Sequence, residues 1–417
     1  MTTTVALLEV SLASGNPNLP SASLSALRSA RAHGAKTVVA TADPAFYQGK
    51  FDELVDAWVS CDTTRAEHVA TALHALQPDA LIAFSDLFVT QANEAAMLLG
   101  VKHPHSAGSP AVSRDKARVR AALDHAGIAN ARWGTIKASA ERPTSPVGYP
   151  AIVKPVDGSG SWDVRRVTCD QELQDACAAH AKRTTYGRNV APRRQLLCEE
   201  ELIGDLVSAE GFVRGADVEI WGHSSRTLSD PPYYIETGCA FGAATADGGL
   251  DDYVHAVVAA TGLRFGAFHM EVILTQAGPV LVELNPRLIG GGVHQCIDLA
   301  SGGDSAGTIV ANYLGQDQEI PTPGMSSAIA RIVAAEPGKV VSITGLEEAR
   351  TSPGVVHVVC PKSIGDSLTV THSNDDRFGY VLAVGDTRGR AQELADAAAA
   401  LIQVEISNTS HSDQATG

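Results

Sequence analysis

The chain has 417 residues, room for roughly two to four structural units at about 100–200 residues per domain, and its 44% hydrophobic content with many Gly and Ala residues is that of a globular α/β protein. A formal net charge of −15, with no basic run and few aromatic residues, excludes the electrostatic footprint of a nucleic-acid binder. Seven widely spread cysteines without a C-x-x-C pair suggest neither a disulfide framework nor a zinc site and fit a reducing cytoplasm, and no apolar stretch approaches the ~20 residues that span a bilayer.

The first hundred residues alternate between two periodicities. "VALLEV" reads as an opening strand rather than a signal peptide, because "MTTTVALLEVSLASG" has no basic leader and only a short apolar run. The helical "SASLSALRSARAHG", the strand "AKTVVAT", a helical stretch over 63–77, the strand "DALIAF" and the helical "TQANEAAMLLG" follow. Strands alternating with helices predict a doubly wound parallel sheet. The first turn, "EVSLASGNPN", carries a single glycine and lacks the G-x-G-x-x-G of a dinucleotide site, which disfavours a nicotinamide enzyme.

In "SRDKARVRAALDHAG", Ser113 is expected to cap a helix that ends at Gly127, with Lys116 in its first turn. A Pro-rich linker, "ERPTSPVGYP", leads to the strand "AIVKP", the loop "VDGSGSWD" and a further strand at "VRRVT". Lys154 stands near the end of the first of these strands, ahead of Gly158, Ser159, Gly160 and Ser161, small residues whose backbone N–H groups can close over phosphate oxygens. No G-K-[ST] is present, so this is not a Walker A loop, and a plain Gly/Ser hairpin turn is an equal reading. Lys116 by itself reads as a solvated helix lysine. Farther on, "RQLLCEEELIGDLVSAEGFV" is two strands joined by a short acidic connector, residues 253–264 read as helix, 325–405 as a last α/β unit, and "SNTSHSDQATG" as a frayed tail.

The segment "FHMEVILTQAGPVLVELNPRLIGGG" is a hairpin with a definable register. Met270, Val272 and Leu274 share a face with Val280, Val282 and Leu284 if the loop centres on Ala277, and that register sets Glu271 opposite Glu283. Like charges so paired are destabilising unless a cation sits between them. Two acids with Asn285 make an all-oxygen set suited to Mg²⁺, which completes its shell with phosphate oxygens and water. Arg287 on the same face suits negative charge forming beside the ion. The competing reading is a solvated strand face. His269 reads as a histidine satisfied by hydrogen bonds, or as a group that supports Glu271.

Taken in this order, "VKPVDGSGS", "EEELIGDLVSAEG" and "HMEVILTQAGPVLVELNPRLIGGG" resemble the ATP-grasp family over nearly the whole chain. Within it, "PYYIETG" and "NDDRFGYVLAVGDT" are similar to carboxylate-amine ligases of the L-amino acid ligase type. The resemblance implies an N-terminal α/β domain over 1–109, a small ATP-grasp subdomain with a Gly-rich flap over 110–198, a large subdomain with the metal site over 199–315, and a C-terminal α+β domain over 316–410. It implies that Lys116 and Lys154 contact ATP phosphates under a flap of residues 157–161, and that Glu199, Glu200, Glu201 and Leu202 line the adenine. Glu271, Glu283 and Asn285 would hold two Mg²⁺ ions, Arg287 and Lys154 would be catalytic, and Glu236, Arg287 and Gly291 would meet substrate. Two departures stand out. The position of the ribose-binding acid of many relatives is Leu206, leaving Asp205 or Glu210 as substitutes, and Cys239 stands where many such ligases carry a histidine.

The activity so implied is transfer of a phosphoryl group from ATP to a small carboxylate, an amino acid foremost, followed by attack of an amine on the acyl phosphate. Competing readings are a carboxylase-like reaction on bicarbonate, a non-catalytic ATP sensor and an oxidoreductase. The expected partners are small carboxylates and amines, with no nucleic acid and no membrane. Ligases of this kind are often homodimers, and the sequence leaves the oligomeric state open. Gly290, Gly291 and Gly292 offer space for a bulky substrate, unless backbone geometry alone requires them.

Overall fold

The computed structural model describes residues 3–10, 20–103, 105–109, 111–243, 249–333, 337–368, 374 and 377–407; most of the glycine-poor first turn and the polar tail lie outside the described residues. Strands β1 (Thr4–Leu8), β2 (Lys36–Thr41), β3 (Ala57–Ser60) and β4 (Ala80–Ile82) form a parallel sheet in the order β3-β2-β1-β4. The sheet is buried on both faces, as its near-continuous apolar strands require. Val5, Leu7 and Val39 pack with helix α1 (Ala22–Ala32), past which the chain makes the short α2 (Pro44–Tyr47). Ala6, Leu8, Val38 and Ala40 pack on the other face with α3 (Ala66–Leu73) and α4 (Val89–Leu99).

Helix α5 (Lys116–Ala126) ends at Gly127 as expected, but its N-cap is Asp115 rather than Ser113. Arg114 at φ 49° turns the chain so that the Asp115 carboxylate accepts from Arg118 N at 3.1 Å, while Ser113 lies buried in the preceding 3₁₀ turn. A four-stranded antiparallel sheet follows: β5 (Trp133–Lys137), β6 (Ala151–Pro155), β7 (Arg165–Val167) and β8 (Gln195–Glu200), in the order β5-β8-β6-β7. Its apolar face is closed by α6 (Asp170–Lys182) through Leu173, Ala176 and Cys177.

The remaining chain builds an eight-stranded sheet. It uses β9 (Asp205–Arg214), β10 (Asp217–Leu228), β11 (Glu236–Gly242), β12 (Phe265–Thr275) and β13 (Gly278–Asn285), with α7 (Leu250–Thr261) across its face. That helix begins ahead of the expected 253 and stops at the left-handed Gly262. After α8 (His294–Ser301) and α9 (Ser305–Tyr313), the strand β14 (Ser326–Ile332) continues the same sheet. Strands β15 (Gly338–Thr344), β16 (Val355–Val359), β17 (Ser367–Leu368), β18 (Gly379–Gly385) and β19 (Gln403–Ser407) then divide. β16 and β18 complete the order β13-β12-β9-β10-β11-β14-β18-β16, and β15, β17 and β19 make a small separate sheet. The last α/β stretch therefore extends the large sheet, and α9 returns to pack its Ala306, Ile309 and Val310 beside α1. Strands β3, β5, β10 and β11 carry no strand expectation from sequence.

The hairpin β12–β13 corrects the expected register in part. Glu271 does face Glu283, and Met270 faces Leu284, but Val272 faces Leu281 instead of Val282. A bulge after Glu271 absorbs one residue, so the turn is the two-residue Gln276–Ala277 and Leu281, not Val282, enters the core. Val282 is freed from the ladder, and its carbonyl accepts from Lys154 Nζ at 3.0 Å and Arg120 Nη2 at 3.1 Å.

Candidate active site

A cleft of about 1290 Å³ opens between the four-stranded sheet and the hairpin. Lys116, Lys154, Gly158, Ser159, Ser161, Glu199, Glu200, Glu201, Leu202, Glu236, Glu271 and Glu283 all line it. A smaller recess beside it is lined by Asp86, Asn285 and, again, Lys116, Gly158 and Glu283. The structure thus gathers side chains separated by more than a hundred residues around one opening.

Lys154 ends β6 with its ammonium 2.7 Å from Glu199, which Arg120 pairs from the other side. Burial pulls the Lys154 ammonium below the usual lysine value against the attraction of Glu199; burial would raise the Glu199 carboxyl, but Arg120 and Lys154 hold it below the carboxylate range. The Glu199 side chain is therefore spent on these two cations. Glu200 and Glu201 are likewise paired, with Arg132 and Arg166 at 2.8 Å each, and this connector lines the cleft. Gly204 closes the connector at a point where a side chain would run into the Leu274 carbonyl. Lys116, far from being solvated, bridges Glu283 at 3.0 Å and the Gly158 carbonyl at 2.6 Å.

The paired carboxylates are held apart by different cations. Glu283 takes Lys116, while Glu271 takes Arg226 at 3.4 Å and His269 Nε2 at 3.2 Å. Burial opposes charge on Glu271, but the His269 hydrogen bond and Arg226 hold its pKa down at about 2. His269 Nδ1 stands 3.0 Å from Glu210; burial disfavours its charge, yet Glu210 and Glu271 raise its pKa above the ordinary value. His269 is thus both satisfied and the support of Glu271. One end of the Asn285 amide stands 3.2 Å from Asp86 Oδ1 and 3.0 Å from Glu283 Oε1. Turned nitrogen-inward it donates to both; turned oxygen-inward it completes a three-oxygen set that fits a hard cation. Among the described residues no group of three or more His, Cys, Asp or Glu side chains is placed to hold a metal ion.

Asp86 gives no sign of itself by composition. It lies in the loop after β4, beside the point where the strand order of the parallel sheet reverses, a position at which open α/β sheets place ligands. Its carboxylate accepts from Arg287 Nε and Nη2 at 2.6 and 2.5 Å and from Ser159 Oγ of the Gly/Ser loop at 2.6 Å. The loop is also tied to the C-terminal region: Asn374 N donates to the Gly160 carbonyl at 3.2 Å, and its amide donates to Ser161 Oγ at 3.3 Å. Arg120 was not singled out from sequence, although it stands one turn after Lys116 on the same helix face. Arg226, Arg331 and Arg377, which surround Glu236, carried no such signal. Neither substitute for the ribose acid lines the cleft: Leu206 does, Asp205 is exposed at the strand start and Glu210 is buried against His269. Gly291 and Gly292 sit at φ 65° and 83° against Arg331, Arg377 and Tyr380, so backbone geometry and close packing, rather than room for substrate, account for them.

Residues 147–296 match the ATP-grasp domain family. Residues 331–407 match the L-amino acid ligase C-terminal domain 2. The whole fold superposes on the crystal structure of an L-amino acid ligase from Bacillus licheniformis with a TM-score of 0.78 at 18% identity, covering 98% of this chain and 99% of that one. Among curated proteins, the chain is 29% identical over 300 residues to the uncharacterized protein y4rH of Sinorhizobium fredii, covering 70% of this chain and 61% of that protein. It is 28% identical over 165 residues to dapdiamide A synthase of Enterobacter agglomerans, covering 36% of each chain. The matches span under two thirds of the length of these curated relatives. No helix among the described residues is long and apolar enough to cross a membrane.

Proposed function

We propose that the protein is an ATP-dependent carboxylate-amine ligase that releases ADP and phosphate and joins a small carboxylate, an amino acid foremost, to an amine. The observation that supports this most is the Glu271–Glu283 pair, facing one another beneath a latched Gly/Ser loop with Lys116 and Lys154 converging on the same cleft. The substrate carboxylate oxygen attacks the γ-phosphorus of ATP, the bond to ADP breaks, and an acyl phosphate forms. The amine nitrogen then attacks the acyl carbon, loses its proton, and phosphate departs.

Little covalent chemistry is asked of the protein, since phosphoryl transfer is mostly positioning and charge neutralisation. Lys116 and Lys154 draw the phosphates, the backbone of 199–202 meets the adenine edge, and Gly158 to Ser161 cover the reacting centre and keep water from the acyl phosphate. Glu271, Glu283 and Asn285 would hold Mg²⁺, which when bound supplies charge neutralisation to the transferring phosphoryl group. Arg287, paired with the Asp86 that lines the recess with Asn285, would bring a positive charge to the acyl phosphate.

The test is ADP and phosphate release that depends on an amino acid and an amine, with Glu283→Ala and Arg287→Ala abolishing it. Release of AMP and pyrophosphate, or activity untouched by those substitutions, rejects the mechanism. ADP release that needs bicarbonate and no amino acid favours a carboxylase, and ATP binding by calorimetry without turnover favours a sensor.

A further inference from the structure

The Gly/Ser loop stands between two aspartates, Asp157 and Asp163, and both are held by the stretch of chain between α6 and β8. Asp157 accepts from Tyr186 Oη at 3.0 Å and from the backbone N–H of Arg193 at 2.9 Å. Asp163 accepts from Arg183 Nε and Nη2 at 2.8 Å each. Between them, Trp162 stacks on Tyr186 with ring centroids 5.3 Å apart. Ser161 and Asp163 sit at φ 61° and 56°, conformations that residues other than glycine keep only where their neighbours over-determine them.

His180 joins the two sides. It lies fully buried in the last turn of α6, with Nδ1 3.0 Å from Asp163 Oδ2 and Nε2 2.8 Å from the Arg193 carbonyl oxygen. Both ring nitrogens therefore face oxygen acceptors. A neutral imidazole carries one N–H and satisfies one of them, whereas the imidazolium carries two and satisfies both. Burial would raise the Asp163 carboxyl, but Arg183 and His180 hold it below the usual carboxylate range, so Nδ1 faces an anion. The C-terminal end of α6 favours a cation as well. The other charges at this point are Arg183, spent on Asp163, and Arg194, whose Nη1 donates to the carbonyls of His180, Ala181 and Arg183. His180 does not itself line the cleft, so any influence on the reaction passes through the loop.

Resting on the reading of the Gly/Ser loop as the cover of the ATP phosphates, we propose that His180 is a positioning residue for that loop, which as the imidazolium fixes the spacing of its two ends. One end is Asp163, bonded to the ring directly. The other is Asp157, reached through Arg193, whose carbonyl accepts from the ring while its N–H donates to the carboxylate. Loss of one ring proton as pH rises breaks one of the two bonds and frees one end of the loop.

Binding of ATP with Mg²⁺ is measured by calorimetry from about pH 6 to about pH 9, a range centred near neutral pH where histidine charge changes. Neither acid nor amine is needed, so the result stands apart from whether a ligase reaction follows. His180→Gln has an amide that cannot occupy both ring positions at any pH. Its Kd should exceed that of the unmodified protein by about tenfold at the acid end, the scale of one charge-assisted hydrogen bond, and approach it at the alkaline end. A purely structural histidine would lower Tm and leave this ratio flat; a flat ratio overturns the proposal. Hydrogen exchange of the unmodified protein, corrected for the intrinsic effect of pH, needs no variant to fold. Residues 157–163 should be more protected at the acid end, and equal protection throughout overturns the proposal. Absence of ATP binding at every pH overturns both it and the ligase reading.

Discussion

Asp86 and Arg287 stand 201 residues apart in sequence and form a two-pronged ion pair, with Nε and Nη2 donating at 2.6 and 2.5 Å. Burial would raise the Asp86 carboxyl, but Arg287 holds it below the usual carboxylate range. Asp86→Ala leaves Arg287 buried without its anion, which should destabilise the fold by about 3–5 kcal/mol. A urea titration of the variant checks this. The double variant Asp86→Ala/Arg287→Met should recover much of the loss while remaining inactive.

The same carboxylate latches the Gly/Ser loop through Ser159, and Asn374 latches it from the other side. Loosening a cover that excludes water exposes an acyl phosphate to hydrolysis. Ser159→Ala and Asn374→Ala are therefore expected to release ADP in excess of amide, whereas the unmodified protein couples the two. Comparing ADP with amide product by mass spectrometry decides the matter, and coupling unchanged in both variants contradicts the latch.

Glu271 and Glu283 are cross-strand partners held by separate cations. Replacing either by Gln should lower turnover by at least about a hundredfold, the scale on which preorganised charge acts, and should raise the Mg²⁺ concentration needed for half activity. Lys116→Met should raise the KM for ATP while leaving the Mg²⁺ requirement in place. A magnesium titration of each variant separates these effects.

The pH dependence of stability follows from His269 and Glu271. The raised pKa of His269 means that its contribution is fully present below its unfolded value near 6.5 and is lost as pH rises through the folded value. Glu271, held at about 2, contributes above its unfolded value near 4.5 and loses this as pH falls through the folded one. The stability difference between the unmodified protein and His269→Gln should accordingly be largest near pH 5–6, between the two unfolded values, and shrink toward alkaline pH. Unfolding in urea across that range measures it, and a difference that grows with pH refutes the assignment.

Gly204 sits at φ 155° where a Cβ would collide with the Leu274 carbonyl oxygen. Gly204→Ala must displace the connector or strand β12, at a cost of more than about 1 kcal/mol. The displaced connector is also the segment proposed to meet adenine, so the KM for ATP should rise along with the loss in Tm.

Much of this was readable before any coordinates. The parallel sheet announced itself because three of its four strands, β1, β2 and β4, are short apolar runs set between helical stretches, while β3 was not expected. The facing of Glu271 and Glu283 was readable because a hairpin relates residues a few positions apart, although the register beyond them shifts by one residue and brings Leu281 rather than Val282 into the core. Lys154 and the Gly/Ser loop could be singled out by residue type, though not distinguished from an ordinary turn.

Other features came only with the tertiary structure. The bulge after Glu271 left no mark in the apolar pattern, because the Val282 carbonyl turns toward Lys154 and Arg120, two residues that reach it from elsewhere in the chain. Strands β10 and β11 brought Arg226 and Glu236 together, and the continuation of the sheet through β14 and β18 brought Arg331 and Arg377 to the same carboxylate. Periodicity and turn chemistry act over a few residues, so the sequence by itself determined which segments become strands, helices and a hairpin. Which cation meets which acid is set by distance in space, and for partners as far apart as Asp86 and Arg287 only the packed sheets decide it.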